Sequence, residues 1–335
     1  MGPPPPENAV NVLAPTRAVR RVEMSYELAI LAALGLIILA ISIKAPRFLQ
    51  PDNLFQVARN FSFIAAVGVG EAMVILSGRG GIDLSVGSMV SLGGVVTTKL
   101  LSLGHGLLPS ILLGVLVGIA AGLINGLLVT KARMTPLIPT LGMLSVAGGL
   151  SLVVTRGFPI TELGAQGDTF VSLGAGFVGP VPAPVIYMVL VVVAGWIFTT
   201  RTPFGYALYA VGGNEDAARL AGINVDRVKT TVYMTSGGLA ALTGILLAAR
   251  LSVGDATLGQ GMELSVIAAV VIGGVSLLGG RGSVLGLFIG AALIGVLQNA
   301  MVIIGVAAFW QQVVIGTTII VAVLLDRLRL RLLAP

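Results

Sequence analysis

Apolar residues run along this chain in blocks that are long for a soluble fold. The stretches 27–43, 60–77, 84–103, 107–130, 136–155, 183–200, 230–250, 264–279, 284–303 and 309–325 are each predominantly apolar. Short polar or Gly- and Pro-rich segments separate them. A helix that crosses a bilayer needs roughly 20 such residues, whereas barrel strands would alternate in blocks of about ten. The pattern predicts an all-α, polytopic transmembrane helix bundle of about ten spans. The run over 84–103 is the weakest, because it opens inside a polar, Gly-rich segment.

Composition strengthens this reading. The chain is 56% hydrophobic and 10% charged, against roughly 25% charged residues in soluble domains. Exposing that much hydrocarbon requires lipid as the solvent. Among the 46 glycines, Gly114, Gly118, Gly122 and Gly126 form a ladder at spacing four. This ladder predicts a helix face for close packing, with Asn125 beside it as a helix–helix hydrogen-bond partner.

The net charge of +6 is distributed in a membrane pattern and is not bunched on one soluble face, so nucleic acid is not an expected partner. With ten spans and a cytoplasmic N-terminus, 14 of the 20 Lys and Arg residues fall in cytoplasmic segments. Such an excess favours a topology with both termini inside. Lys44-Ala45-Pro46-Arg47 follows the first apolar run where a cleaved signal would carry small residues, so an uncleaved first span is expected. The expected organisation is a cytoplasmic tail over 1–26, a transmembrane domain over 27–325 and a cytoplasmic tail over 326–335. An external loop over 156–182, with room for a short helix, and a cytoplasmic loop over 201–229 interrupt the spans.

The loop 201–229 contains Gly212-Gly213-Asn214-Glu215-Asp216-Ala217-Ala218-Arg219-Leu220-Ala221-Gly222. Asn214 is a good N-cap, Glu215 and Asp216 suit a helix N-terminus and Arg219 its other end. Gly222 suits the closing C′ position, and Gly213 would allow a tight entry. The segment reads either as a surface helix between spans or as a rigid peg that enters a groove on a cytoplasmic partner. Gly78-Arg79-Gly80-Gly81-Ile82-Asp83-Leu84-Ser85-Val86-Gly87-Ser88 interrupts an apolar stretch. Asp83 either caps the following helix or, with Ser85 and Ser88, lines a pathway. A second Gly-Arg-Gly at 280–282 gives a trace of an internal repeat.

Polar groups inside spans are costly and often functional. Glu71 lies in the second span, where a carboxylate at the bilayer centre costs about 3 kcal/mol on insertion scales. It should therefore be protonated, paired or in a wet cavity. Gln298-Asn299 and Gln311-Gln312 are amide pairs, the latter beside Trp310. Trp310 suits either a sugar ring or an interfacial anchor.

The chain lacks the usual catalytic constellations. None of its four lysines follows a glycine, so there is no Walker-A loop, and neither HExxH nor GxSxG occurs. There is no cysteine. The single histidine, His105, sits in a Gly-flanked turn and reads as a surface residue. No catalytic residue, metal site or cofactor is expected.

GGIDLSVGS at 80–88, NGLLVTKARMTPLIPTLGM at 125–143, YAVGGNEDAARLAGINVDRVK at 209–229, IAAVVIGGVSLLGGRGSVLG at 267–286 and WQQVVIG at 310–316 resemble the ribose/xylose-type permeases of bacterial ATP-binding-cassette importers. The resemblance covers nearly the whole chain from about residue 27. It implies a multi-pass protein of the bacterial plasma (inner) membrane that translocates a small monosaccharide. The implied partners are a cytoplasmic ATP-binding-cassette ATPase that hydrolyses the ATP, an extracytoplasmic sugar-binding protein, membrane lipid, and a second copy of the chain or a paralogous permease. It places Gly213, Asn214, Glu215, Ala217, Ala218, Arg219 and Gly222 in the ATPase-coupling segment. Asp83, Ser85, Asn125, Asn299 and Gln311 are the candidates for the substrate pathway. Other solutes carried by related permeases are nucleosides, signalling furanoses and branched-chain amino acids. An ATP-independent carrier would instead use Glu71 and Asp83 as a proton relay.

Overall fold

The computed structural model describes residues 17–333; the beginning of the proposed N-terminal tail, 1–16, and the end of the proposed C-terminal tail, 334–335, lie outside the described residues. Thirteen α-helices follow in order: α1 Arg17–Lys44, α2 Pro51–Leu76, α3 Val86–Ser102, α4 Leu107–Thr130, α5 Leu137–Thr155, α6 Gly167–Ala175, α7 Ala183–Arg201, α8 Pro203–Gly213, α9 Glu215–Leu220, α10 Val225–Leu251, α11 Met262–Ile272, α12 Val284–Ile303 and α13 Ala308–Leu333. Each of the ten apolar runs carries one of these helices. Among the described residues, seven helices are long and apolar enough to cross a membrane. The helices α3 and α11 are shorter. The all-α polytopic bundle expected from the sequence is the observed architecture.

Two helices form the axis of the bundle. Along α2 the second half from Phe63 to Leu76 is buried without a break, and α10 is buried on several sides. By contrast, α4, α5 and α7 bury one stripe each and expose leucine, isoleucine and valine, as at Leu116, Val153 and Leu190. An apolar outer face is what lipid-facing helices need. The glycine ladder of α4 lies against α10. A Cβ at Gly118 or Gly122 would overlap the carbonyl oxygen of Gly237 or Tyr233, and one at Gly126 would come within 2.8 Å of Thr230 Cα. Removing side chains at that seam brings the two backbones together.

The ends of the bundle differ. α10 has 27 residues and is about 40 Å long, so it joins the end that carries α8 and α9 to the end that carries α6. There, Gly174 of α6 backs directly onto the backbone of Arg250. The stretch 156–182 is more structured than a loop. It holds α6, with Phe170 fully buried, and a two-stranded antiparallel ladder, β1 Phe177–Val178 and β2 Val181–Pro182. His105 is exposed in the turn between α3 and α4.

Two of the ten runs are broken. The run over 264–279 is helical only to Ile272, and the segment before α3 is irregular from Ser77 to Ser85. An 11-residue helix reaches about 16 Å, roughly half of a bilayer core. Irregular backbone near a membrane survives only where protein or water satisfies it. The two breaks satisfy each other: Gly280 N–H donates to Leu76 O at 3.0 Å. Gly78, Gly279 and Gly280 all adopt positive φ, at 81°, 87° and 70°. The two Gly-Arg-Gly sequences flagged as a repeat thus converge in space, and Gly212 of α8 closes the seam between them.

Candidate functional site

The α9 end carries every ion pair found among the described residues. Asn214 caps α9, its side chain accepting from Ala217 N–H at 3.0 Å, and Gly222 closes the helix at φ 84°. Both features match the sequence expectation. Glu215 is the hub. Its carboxylate meets Lys229 Nζ at 2.7 Å, Arg79 Nε at 2.9 Å and Arg219 at 3.3 Å, with only 8% of the Glu215 and Lys229 side chains exposed. Burial by itself raises the Glu215 carboxyl. Hydrogen bonds from Lys229 and Arg219, together with the charges of Lys229 and Arg79, outweigh it and hold the group below its usual range. Asp226 extends the network to Arg219 and Lys131, each at 3.0 Å, and its hydrogen bond raises the Arg219 guanidinium further. This cluster ties α9 to the α2–α3 break through Arg79, to α4 through Lys131 and to α10 through Asp226 and Lys229.

The coupling candidates therefore divide. Ala218 is 4% exposed and belongs to the main core, so it does not present a small face to a partner. Glu215 points inward and Arg219 is paired within the chain. Gly213 ends α8 with a φ that is not positive and open space around it, so tight entry into α9 does not depend on it. The outward face is made by Asp216, Ala217 and Leu220, the last of which is 92% exposed. Leu220 is the residue that sequence reasoning passed over. An apolar residue between Arg219 and the closing Gly222 was the available signal.

The pathway candidates also divide. Asp83, Ser85 and Asn125 are fully buried. Asp83 accepts from Ser85 N–H at 3.1 Å, from Ser85 Oγ at 2.5 Å and from Ser236 Oγ at 3.1 Å. Asn125 Nδ2 donates to Ser85 Oγ at 3.0 Å. Glu71 Oε1 accepts the Asp83 N–H at 3.0 Å, so the costly carboxylate in the second span is paired with the irregular backbone beside it. This chain of bonds stitches α2, α3, α4 and α10 together, while Glu71 Oε2 and Asn125 Oδ1 are buried without a hydrogen-bond partner among the described residues. Asn299 is likewise committed: it exchanges hydrogen bonds with Asn53 at 2.9 and 3.1 Å across α2 and α12.

Gln311 is placed differently. It lines a cavity of about 650 Å³ bounded by α2, α10, α11, α12 and α13, together with Gln298, Gln312, Gln260, Glu263 and Asn60. Arg250 also reaches its wall, held by Asn60 at 3.0 Å and Gln56 at 3.0 Å. Trp310 is not on that wall and is 57% exposed, which suits an anchor better than a ring platform. A second cavity, of about 370 Å³, is lined by Ser88, Ser91, Ser145 and Thr257, and also by Gln260 and Glu263. Of the two serines that the sequence placed on a pathway wall, Ser88 lines this cavity and Ser85 is buried. Among the described residues no group of His, Cys, Asp and Glu is arranged to hold a metal ion.

A helical bundle with an apolar outer face, broken helices, open cavities that carry amide and carboxylate groups, and a charged cluster around a short helix at one end has the features of a multi-pass membrane transport protein. Comparison with known proteins gives its family. The chain belongs to the family described as "Branched-chain amino acid transport system / permease component", whose pattern matches residues 53–323. It is 47% identical over 296 residues to the ribose import permease protein RbsC of Bacillus subtilis (strain 168), covering 88% of this chain and 91% of that one. It is 40% identical over 297 residues to RbsC of Escherichia coli (strain K12), covering 88% and 92%. The L-arabinose ABC transporter permease protein AraH of Azospirillum brasilense is 35% identical over 327 residues, covering 97% and 94%. No solved structure matches the chain. The protein is thus a permease, a transport subunit of the bacterial inner membrane.

Proposed function

We propose that this chain is the permease of an ATP-driven importer and that its solute is ribose or a similar monosaccharide. The observation that carries the reading is identity of 40–47% over 88% of the chain to ribose import permeases. The amide- and carboxylate-lined cavity supports it, because hydroxyl-rich solutes need partners that both donate and accept. ATP is hydrolysed by a separate cytoplasmic cassette, which docks on the outward face of α9. The sugar is delivered by an extracytoplasmic binding protein at the α6 end. Both termini are cytoplasmic, and two permeases pair in the membrane. The structure supports coupling over a proton relay in one respect: both carboxylate oxygens of Asp83 are engaged, by Ser85 and Ser236.

The test is ribose uptake into cells or proteoliposomes that contain the permease with its cassette and binding protein. Uptake should require ATP and stop when the cassette cannot hydrolyse it. Uptake that persists without ATP and follows a proton gradient would replace this reading with the carrier. Orientation is read with single cysteines, since the chain has none. A cysteine at Gln166 should react with an impermeant reagent from outside, and one at Leu220 only from inside.

A further inference from the structure

Two open cavities meet at a pair of shared lining residues. Gln260 and Glu263 line both the cavity of about 650 Å³ and the cavity of about 370 Å³. Both volumes fall within the range of ligand cavities, roughly 300–1,000 Å³. Gln260 lies in the irregular segment between α10 and α11, and Glu263 in the first turn of α11. The position is held by backbone packing. Gly259 N–H donates to Ser91 Oγ of α3 at 2.9 Å. A Cβ at Gly87 would overlap Glu263 Oε2 and come within 2.5 Å of Gly259 O, so only glycine leaves room there. Glu263 makes no ion pair among the described residues. An ionisable group that faces a cavity inside a membrane domain is a candidate for a solute path.

We propose that Gln260 and Glu263 form the constriction through which solute passes between the two cavities, and that Glu263 accepts hydrogen bonds from sugar hydroxyls there. The identity of the solute rests on the sugar-permease reading above; the position of the constriction does not. A carboxylate is an acceptor only, while a carboxamide both donates and accepts. Together they match the hydroxyls of a pyranose or furanose, and the charged acceptor makes the stronger bonds. Gly87, in the Gly80–Ser88 motif, acts as the positioning residue that seats the carboxylate.

The experiment uses the complete importer, reconstituted with its cassette and binding protein. Glu263→Gln keeps the shape of the side chain and removes the charge. Its ribose uptake should fall at least about tenfold, the loss expected when a charge-assisted hydrogen bond is weakened, with unchanged complex yield and unchanged ATPase rate. Gly87→Ala should reproduce the loss. Wild-type uptake by Glu263→Gln, in an importer that carries ribose, overturns the recognition role. A second arm does not depend on the solute. Gln260→Cys should be modified by a small water-soluble thiol reagent, and modification should block transport. A cysteine there that stays unreactive throughout the ATP cycle overturns the constriction. If the wild-type importer carries no ribose at all, the sugar reading fails, and the thiol arm alone decides whether this pair lies on the path.

Discussion

Glu215 is the residue on which the α9 end turns. Its carboxylate is 8% exposed and meets three cations, of which Lys229 is equally buried. Removing one member of a buried pair leaves an uncompensated charge, at a cost of about 3–5 kcal/mol. Exposed pairs contribute about 0–1 kcal/mol, and Asp216, 82% exposed, is of that kind. Glu215→Ala should therefore lower the unfolding temperature of the purified permease by several degrees, while Asp216→Ala leaves it nearly unchanged. The same comparison predicts a pH dependence. Because the folded Glu215 carboxyl sits below its ordinary value of 4.5, its stabilisation is complete above that value. It is lost as the pH falls through the depressed folded value. A melting temperature that falls below pH 4.5 in the wild type, but more shallowly in Glu215→Gln, is the expected result. The acidic first turn was visible in the sequence as a helix-dipole feature. Its main role was not, because Arg79 and Lys229 are brought to it by tertiary structure.

At the scale of elements, the glycines separate by what surrounds them. A Cβ at Gly212 would overlap Leu76 O and come within 2.6 Å of Gly280 N, whereas one at Gly213 meets nothing within 4 Å. Overpacking a seam of this kind costs about 1–3 kcal/mol. Replacing an open helical glycine by alanine contributes up to about 1 kcal/mol of stability. Gly212→Ala should thus lower the melting temperature and Gly213→Ala hold or raise it, as followed by thermal unfolding in detergent. The helices themselves were legible because apolar length and polar interruptions mark them directly. Asn214 and Gly222 were legible because caps are local. The end of α11 at Ile272 was not legible, since Gly273 to Gly279 continue an apolar run. Only the pairing of that turn with the α2–α3 break explains why the helix stops. Asp83, Ser85 and Asn125 have the composition of a pathway, yet they are joined in a buried network. Composition alone does not separate the two uses of a polar side chain in a membrane.

For the molecule as a whole, the question is how a push on α9 reaches the cavities at the other end. α9 is not joined to the bundle by a loose linker. α8 precedes it, held to α7 by the stacked rings of Phe198 and Phe204 at 4.8 Å and to the α11–α12 turn by Tyr209 Oη donating to Gly282 O at 2.9 Å. The ion network then passes from α9 to the start of α10, and α10 runs to Arg250 on the cavity wall. A rigid element that contacts both ends is what a two-state mechanism requires. Docking and transmission should therefore separate by mutation. Leu220 is the exposed apolar tip of α9, so Leu220→Asp should abolish co-purification with the cassette while leaving melting temperature and membrane insertion unchanged. Lys229 faces inward, so Lys229→Met should keep the cassette bound. It releases α10 from Glu215, and sugar moved per ATP hydrolysed should fall several-fold. Co-purification, ATPase rate and uptake measured on one preparation distinguish the two. If Lys229→Met transports with wild-type stoichiometry, the push reaches the cavities through α8 and the glycine seam, and Gly212→Ala becomes the variant that uncouples.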